Sequence, residues 1–262
     1  MTSEPARLGI SVGITNTRLS ASKRGVAIEC ALRLAGRAHV PVCLVGADPT
    51  DRDVEHRTPP IDPVDPRSAR MRLEHRNRTL DVAMLGRRQV CVISVSDRAG
   101  FESVLPEIQG AFRYVLIDAP SRAGTGVGIS HGLLRRIDAL VVVSGSRAGE
   151  LAEARVYLER LERIPDARRI ETRVLTTGYP DDSELSREQF ERRARRLPTI
   201  GEIPQLWGRR AGTAPSDDDR LEHALGPLLQ WIIGMGSNTA SPTVPPLALP
   251  ASPGSARIPS NT

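Results

Sequence analysis

Lys23 is the only lysine among 36 lysine and arginine residues, and it stands between an apolar run at residues 8–15 and a helix-forming run at 25–35. A strand that turns into a helix offers loop N–H groups and a helix N-terminus to an anion. A lysine there is a compact charge that can reach the outer phosphates of a polyphosphate. Arginine, with its wide planar fork, fills that role poorly. The chemistry on offer is polyphosphate binding, and the plainer reading is a surface lysine in the first turn of a helix. The connecting loop reads Asn16-Thr-Arg-Leu-Ser-Ala-Ser-Lys-Arg24, which sets Arg18 and Arg24 on either side of Lys23.

Other chemistries find less support. His39, His56, His75, His131 and His223 have no i, i+4 pairing for a metal, and no serine sits in a Gly-x-Ser-x-Gly elbow. Gly124-Thr-Gly-Val-Gly128 lacks the acidic residue about 20 positions on that a dinucleotide fingerprint requires. Cys30, Cys43 and Cys91 show neither metal spacing nor an even disulfide set, so buried, reduced thiols are expected.

The elements that would position Lys23 form a repeating pattern of apolar strands and amphipathic helices. After the helix at 25–35 comes Val40-Pro-Val-Cys-Leu-Val-Gly-Ala-Asp48-Pro49-Thr50, an apolar strand ending in an acidic turn. Phe112-Arg-Tyr-Val-Leu-Ile-Asp118-Ala-Pro120 is a second such strand, and Ile137-Asp-Ala-Leu-Val-Val-Val-Ser144 leads into an amphipathic segment at 148–164. Arg173-Val-Leu-Thr-Thr-Gly178 and Ile200-Gly-Glu-Ile-Pro204-Gln205 follow. The last helix, at 220–233, places Leu221, Ala224, Leu225, Leu228, Leu229, Ile232 and Ile233 at the spacing of one buried face.

This order of parts, over residues 7–235, resembles the MinD/ParA family of P-loop ATPases, whose deviant phosphate loop reads Lys-Gly-Gly-x-Gly-Lys-Ser/Thr. The resemblance implies an α/β fold: three layers, doubly wound, around a mostly parallel sheet. It places Arg18 where the family has the lysine that crosses a dimer to the partner's nucleotide, and Lys23 at the second lysine. Ser20, Ser22, Lys23, Arg24 and Gly25 would then line the phosphates of ATP. Asp48 matches a water-orienting or metal-facing carboxylate, and Asp118 the aspartate that holds Mg²⁺ through water. Thr176 falls where members read the base with asparagine, and Pro204 in the segment that closes over base and ribose.

The departures bear on activity. The family's three loop glycines fall on Leu19, Ser20 and Ser22, where a backbone curling around phosphate favours glycine. The metal-binding hydroxyl falls on Arg24, which cannot ligate a metal. The resemblance with these departures implies a non-catalytic or weakly catalytic regulator or scaffold in the positioning of cell-division, DNA-partitioning, secretion or pilus machinery. The alternative is an active ATPase with an arginine-rich phosphate loop that cycles between monomer and dimer. An iron–sulfur cofactor is not expected, because the cysteines lie away from the loop after Asp118.

Composition bounds the rest. With 262 residues and 3% aromatics, the chain can form one large α/β domain with a core of Val, Leu, Ile and Ala. Residues 1–236 are expected to be that domain, residues 51–77 a long loop, and residues 237–262 a disordered Pro/Ser/Ala-rich tail. No run approaches the apolar length needed to cross a bilayer, so a cytoplasmic protein with no integral membrane segment is expected. The net charge of +5 and pI of about 9.7 make non-specific DNA a candidate partner, with the arginine cluster at 187–196 as its contact. Glu188 and Glu191 interrupt that cluster, as on an ordinary solvated face. A protein partner and a homodimer are the other partners that the resemblance implies.

Overall fold

Runs rich in Val, Ile and Leu without strict polar alternation suit strands buried on both faces, and such runs build the centre of this molecule. The computed structural model describes residues 9–17, 22–46, 70–75, 78–85, 90–95, 98–119, 129–178, 189, 192, 197–203 and 215–237. In chain order these form β1 (Ile10–Asn16), α1 (Ser22–Ala38), β2 (Val42–Gly46), β3 (Arg70–His75), β4 (Arg78–Leu85) and β5 (Val90–Val95). Then follow α2 (Arg98–Ala111), β6 (Tyr114–Asp118), α3 (His131–Leu134), β7 (Ala139–Gly145) and α4 (Ala148–Glu162). A 3-10 turn (Pro165–Ala167), β8 (Glu171–Thr177), β9 (Thr199–Ile203) and α5 (Pro215–Ser237) complete the order.

All nine strands join one sheet in the order β3-β4-β5-β2-β6-β1-β7-β8-β9. From β5 to β9 every neighbouring pair is parallel, and β3 and β4 add an antiparallel hairpin at one edge. Alternate strand residues feed two separate apolar clusters, as a pleat with period two requires. One face gathers Val115, Ile117, Leu140 and Val142 with Leu105 of α2, Leu134 of α3 and Leu151 of α4. The other gathers Ile10, Val12, Ile14, Leu116 and Val141 with Leu34 of α1 and Leu225, Leu228 and Leu229 of α5. The result is the three-layer, mostly parallel α/β architecture expected from the sequence.

Several boundaries differ from the sequence reading. The segment 51–77, read as loop, contributes its last part to β3. Its alternating Arg70-Met71-Arg72-Leu73-Glu74 is a short strand pattern that follows a Pro-rich stretch, and it pairs with β4 from Arg70 opposite Ala83 to His75 opposite Arg78. α1 runs three residues past Ala35 to Ala38, and His39 after it, with φ of 53°, takes the left-handed position that closes a helix. α5 starts at Pro215 rather than Arg220, with proline at its first position, where its fixed φ suits a helix start. At its other end Gly236 lies against the ring of Tyr114, so close that an added Cβ would sit 2.6 Å from the ring, and Arg113 donates to the Gly236 carbonyl. Glycine there lets the helix end meet the first residue of β6.

Candidate functional site

In a doubly wound sheet, ligands bind beyond the carboxyl ends of the strands, near the point where the winding reverses. β1 is the centre of that edge, with β6 on one side and β7 on the other. Asp118, the last residue of β6, pairs with Ile14 of β1 and with Gly46 of β2. One row of the sheet therefore brings Asp118 between the strand that leads to Lys23 and the strand that leads to Asp48. Beyond that row the Ala119 N–H donates to the Ile14 carbonyl at 2.9 Å, which keeps β6 and β1 joined to the edge. Asp118 is 5% exposed, a depth at which a carboxylate must be paired or face a cation.

α1 begins at Ser22, so Ser22, Lys23 and Arg24 form its first turn, with Gly25 half-buried behind them. The strand before Lys23 and the helix start at it are present. Arg18, Ser20, Asp48 and Pro204 lie outside the described residues, as do residues 1–8, the tail after Ser237, and all of 187–196 except Gln189 and Arg192.

Thr176 lies farther along the same edge, in β8, opposite Ser144 of β7 and Glu202 of β9. Its side chain is wholly buried and its hydroxyl donates to the Gly201 carbonyl at 3.3 Å, next to the register shift between Val174 and Leu175. That hydroxyl is engaged in joining β8 to β9. Thr177 makes the corresponding link to the other side, donating to the Ser144 carbonyl at 3.3 Å.

The same edge carries polar residues that the sequence reading passed over. Asn16, Ser144 and Ser146 are all buried at strand ends. The Ser144 hydroxyl reaches the carbonyls of Gly145 and Glu150, both at 3.1 Å, while the Arg147 N–H donates to a Glu150 carboxylate oxygen at 3.1 Å. That last contact ties the first turn of α4 back on the turn after β7, as in the carboxylate half of a capping box. Gly178, with φ of 104°, stands against the Ser146 hydroxyl, so the turns after β7 and β8 touch. The available signal was the change from apolar to Ser, Asn and Gly at the end of each run. On the opposite side of β1 the Tyr157 hydroxyl of α4 hydrogen-bonds Thr15, and burial pushes the Tyr157 phenol above its ordinary range. β1 is thus anchored to α4.

The donor set bears on which cofactors fit. Among the described residues no cluster of three or more His, Cys, Asp or Glu could cage a metal. Mg²⁺ does not need such a cage, since it commonly arrives on phosphates and takes one or two protein carboxylates through or beside its waters. Asp118, buried at the edge and next to the exits of β1 and β2, suits that requirement. No helix among the described residues is long and apolar enough to cross a membrane.

The central parallel sheet with helices on both faces is the fold of solved MinD and ParA proteins. Solved structures agree. The chain is similar to the cell division protein MinD of Aquifex aeolicus, with 16% identity, 86% of this chain and 98% of that one covered, and a TM-score of 0.58. It is likewise similar to the MinC:MinD cell division protein complex of Aquifex aeolicus, at 15% identity, 86% and 96% coverage and a TM-score of 0.54. A ParA family ATPase from Chlorobium tepidum matches at 13% identity, 89% and 94% coverage and a TM-score of 0.51. Neither the protein-family models nor the sequences of curated proteins give a match.

Proposed function

We propose that this chain is a MinD/ParA-like positioning protein that takes ATP weakly and hydrolyses it slowly or not at all, acting as a regulator or scaffold. The observation that carries the reading is the row Gly46–Asp118–Ile14, which brings a buried carboxylate beside the exit of β1 toward a helix whose first turn is Ser22-Lys23-Arg24. The frame of a nucleotide site is present, while the residue types in its loop depart from those that make such a site efficient.

Phosphoryl transfer rests on positioning and on charge stabilisation by metal and loop. Bound Mg²⁺ would neutralise charge on the phosphates, and Asp118, with Asp48, would be the carboxylates that hold it. Lys23 would contact the outer phosphates, and Arg24 would place a second cation where a hydroxyl would otherwise face the metal. Leu19, Ser20 and Ser22 in place of glycines restrict how closely the loop backbone can follow a polyphosphate. These features favour binding through direct positive charge over binding that depends on the metal.

The positioning role and a protein partner are carried over from the named relatives, which are a cell division protein, its complex with MinC, and a ParA family ATPase. Arg18 in place of the crossing lysine suggests that a face-to-face homodimer would need bound anions to overcome like-charge repulsion.

Titration calorimetry of the full chain with ATP tests the reading. The expected result is weak binding whose affinity is unchanged when EDTA replaces Mg²⁺ and which is lost in Lys23→Ala. Tight binding that requires Mg²⁺ would favour the active ATPase, and binding indifferent to Lys23 would remove the site.

A further inference from the structure

The three cysteines are not equivalent. Cys30 lies on α1, wholly buried, and burial together with Glu29 pushes its thiol up to about 12 despite the nearby Arg33. Cys43 and Cys91 are register partners on the adjacent parallel strands β2 and β5. Both side chains belong to the same apolar cluster beneath α2, so they lie on the same face of the sheet. Neighbouring strands are separated by about 4.8 Å, within the Cα separation of about 4.4–6.8 Å that a disulfide spans. Register and shared face therefore make the two thiols neighbours beneath α2.

That proximity divides the pair into two roles. Burial holds the Cys43 thiol well above its ordinary range, and its hydrogen bond to the neighbouring sulfur adds to the effect. Cys91 moves the other way, because accepting the Cys43 hydrogen bond favours its thiolate over the opposing cost of burial. A nucleophilic sulfur with a resolving thiol beside it is the arrangement that converts oxidation into a disulfide instead of a stable sulfenic acid. Cys43 is wholly buried and Cys91 is 3% exposed, so oxidation of the pair requires local opening of the fold.

We propose that Cys43 and Cys91 form a modification site, a dithiol that a hydroperoxide oxidises reversibly to a disulfide across β2 and β5. The Cys91 thiolate attacks the O–O bond of the hydroperoxide, giving the Cys91 sulfenic acid and, after protonation, water or an alcohol. The Cys43 sulfur then attacks the Cys91 sulfur, and the hydroxyl leaves as water with the Cys43 proton. Two thiols and one hydroperoxide thus give one disulfide, one water and one further water or alcohol. A dithiol reductant restores the pair.

The bond would act on more than two side chains. The chain between Cys43 and Cys91 contains Asp48 and the β3–β4 hairpin, and β2 ends in Gly46, the row partner of Asp118. Oxidation closes that whole stretch into a covalent loop anchored at the middle of the sheet. This inference is independent of whether the chain binds nucleotide.

The test uses the full chain, folded, treated with hydrogen peroxide and analysed by intact mass and by peptide mapping without reduction. The expected product has lost the mass of two hydrogens, carries a Cys43–Cys91 link, keeps Cys30 as a free thiol, and returns to the starting mass with dithiothreitol. Cys30→Ser should form the same link, whereas Cys43→Ser should instead accumulate a Cys91 sulfenic acid that dimedone traps. The oxidised chain should melt roughly 5–10 °C higher than the reduced one, since a loop closed in the unfolded state favours the fold. A link to Cys30, thiols that remain unmodified at Cys43 and Cys91 while the chain stays folded, or a lower melting temperature on oxidation would overturn the proposal.

Discussion

Two carboxylates show how differently this molecule uses charge. Glu222 on α5 is 40% exposed and faces two guanidinium groups of α1, with Arg33 at 2.8 Å and Arg37 at 2.5 Å. Asp118 is nearly inaccessible and ends the strand next to the centre of the sheet. At the interface between α1 and α5, charge borders a seam already closed by Leu225, Leu228 and Leu229. At the carboxyl edge of the sheet, charge sits where three strands turn away into connecting segments. The helix interface therefore tolerates loss of a charge better than the sheet edge should, because water can replace a partner at Glu222 and cannot easily do so at Asp118.

If that contrast is right, the largest effect on stability should come from the apolar seam and not from its charged border. Leu228→Ala removes a wholly buried side chain of α5 and should cost about 2–5 kcal/mol in denaturant unfolding. A cost under about 1 kcal/mol would mean that α5 is not docked as described. Next in size is the effect at the other region: Lys23→Ala should weaken ATP binding by about tenfold or more while leaving unfolding nearly unchanged, because a charge-assisted phosphate contact is lost and no packing is. Equal loss of stability and binding would make Lys23 a structural residue.

The charged border gives a smaller effect with a defined pH dependence. Burial raises the Glu222 carboxyl, but the hydrogen bonds and charges of Arg37 and Arg33 outweigh it and hold the group below its ordinary range. A group depressed in the folded state contributes stability above its unfolded value, and that contribution is lost as pH falls through the glutamate range toward the folded value. Glu222→Gln should therefore lower stability by at most about 1 kcal/mol at neutral pH, with the difference from the parent shrinking on acidification. A difference that grows below pH 5 would reverse the assignment. Removing residues 238–262 should change the melting temperature least, since their composition offers no buried face. A drop of many degrees would show that the segment packs on the domain.

Much of the fold could be read from residue types. Apolar runs ending in Asp118, Ser144 and Thr177 became parallel strands, and the leucine spacing of the last helix became the seam against α1. The hairpin of β3 and β4 was not read, because the alternation of Arg70-Met71-Arg72-Leu73-Glu74 is short and directly follows a Pro/Asp/Arg-rich stretch that reads as loop. The placement of Lys23 at the start of α1 and of Asp118 at the end of β6 was legible because a lone lysine before a helical run and an aspartate at the end of an apolar run stand out locally. The engagement of Thr176 with Gly201 was not, since it depends on a register shift between β8 and β9. The proximity of Cys43 and Cys91 was hidden for the same reason: strand order, not sequence spacing, makes them neighbours.

The central claim is that a MinD/ParA-type frame carries a phosphate loop unsuited to hydrolysis. Steady-state ATP turnover by the full chain with saturating Mg²⁺, measured beside Lys23→Ala, tests it most directly. The account predicts turnover that is absent or slow, little above that of the variant. Sustained Mg²⁺-dependent hydrolysis that Lys23→Ala abolishes would contradict it.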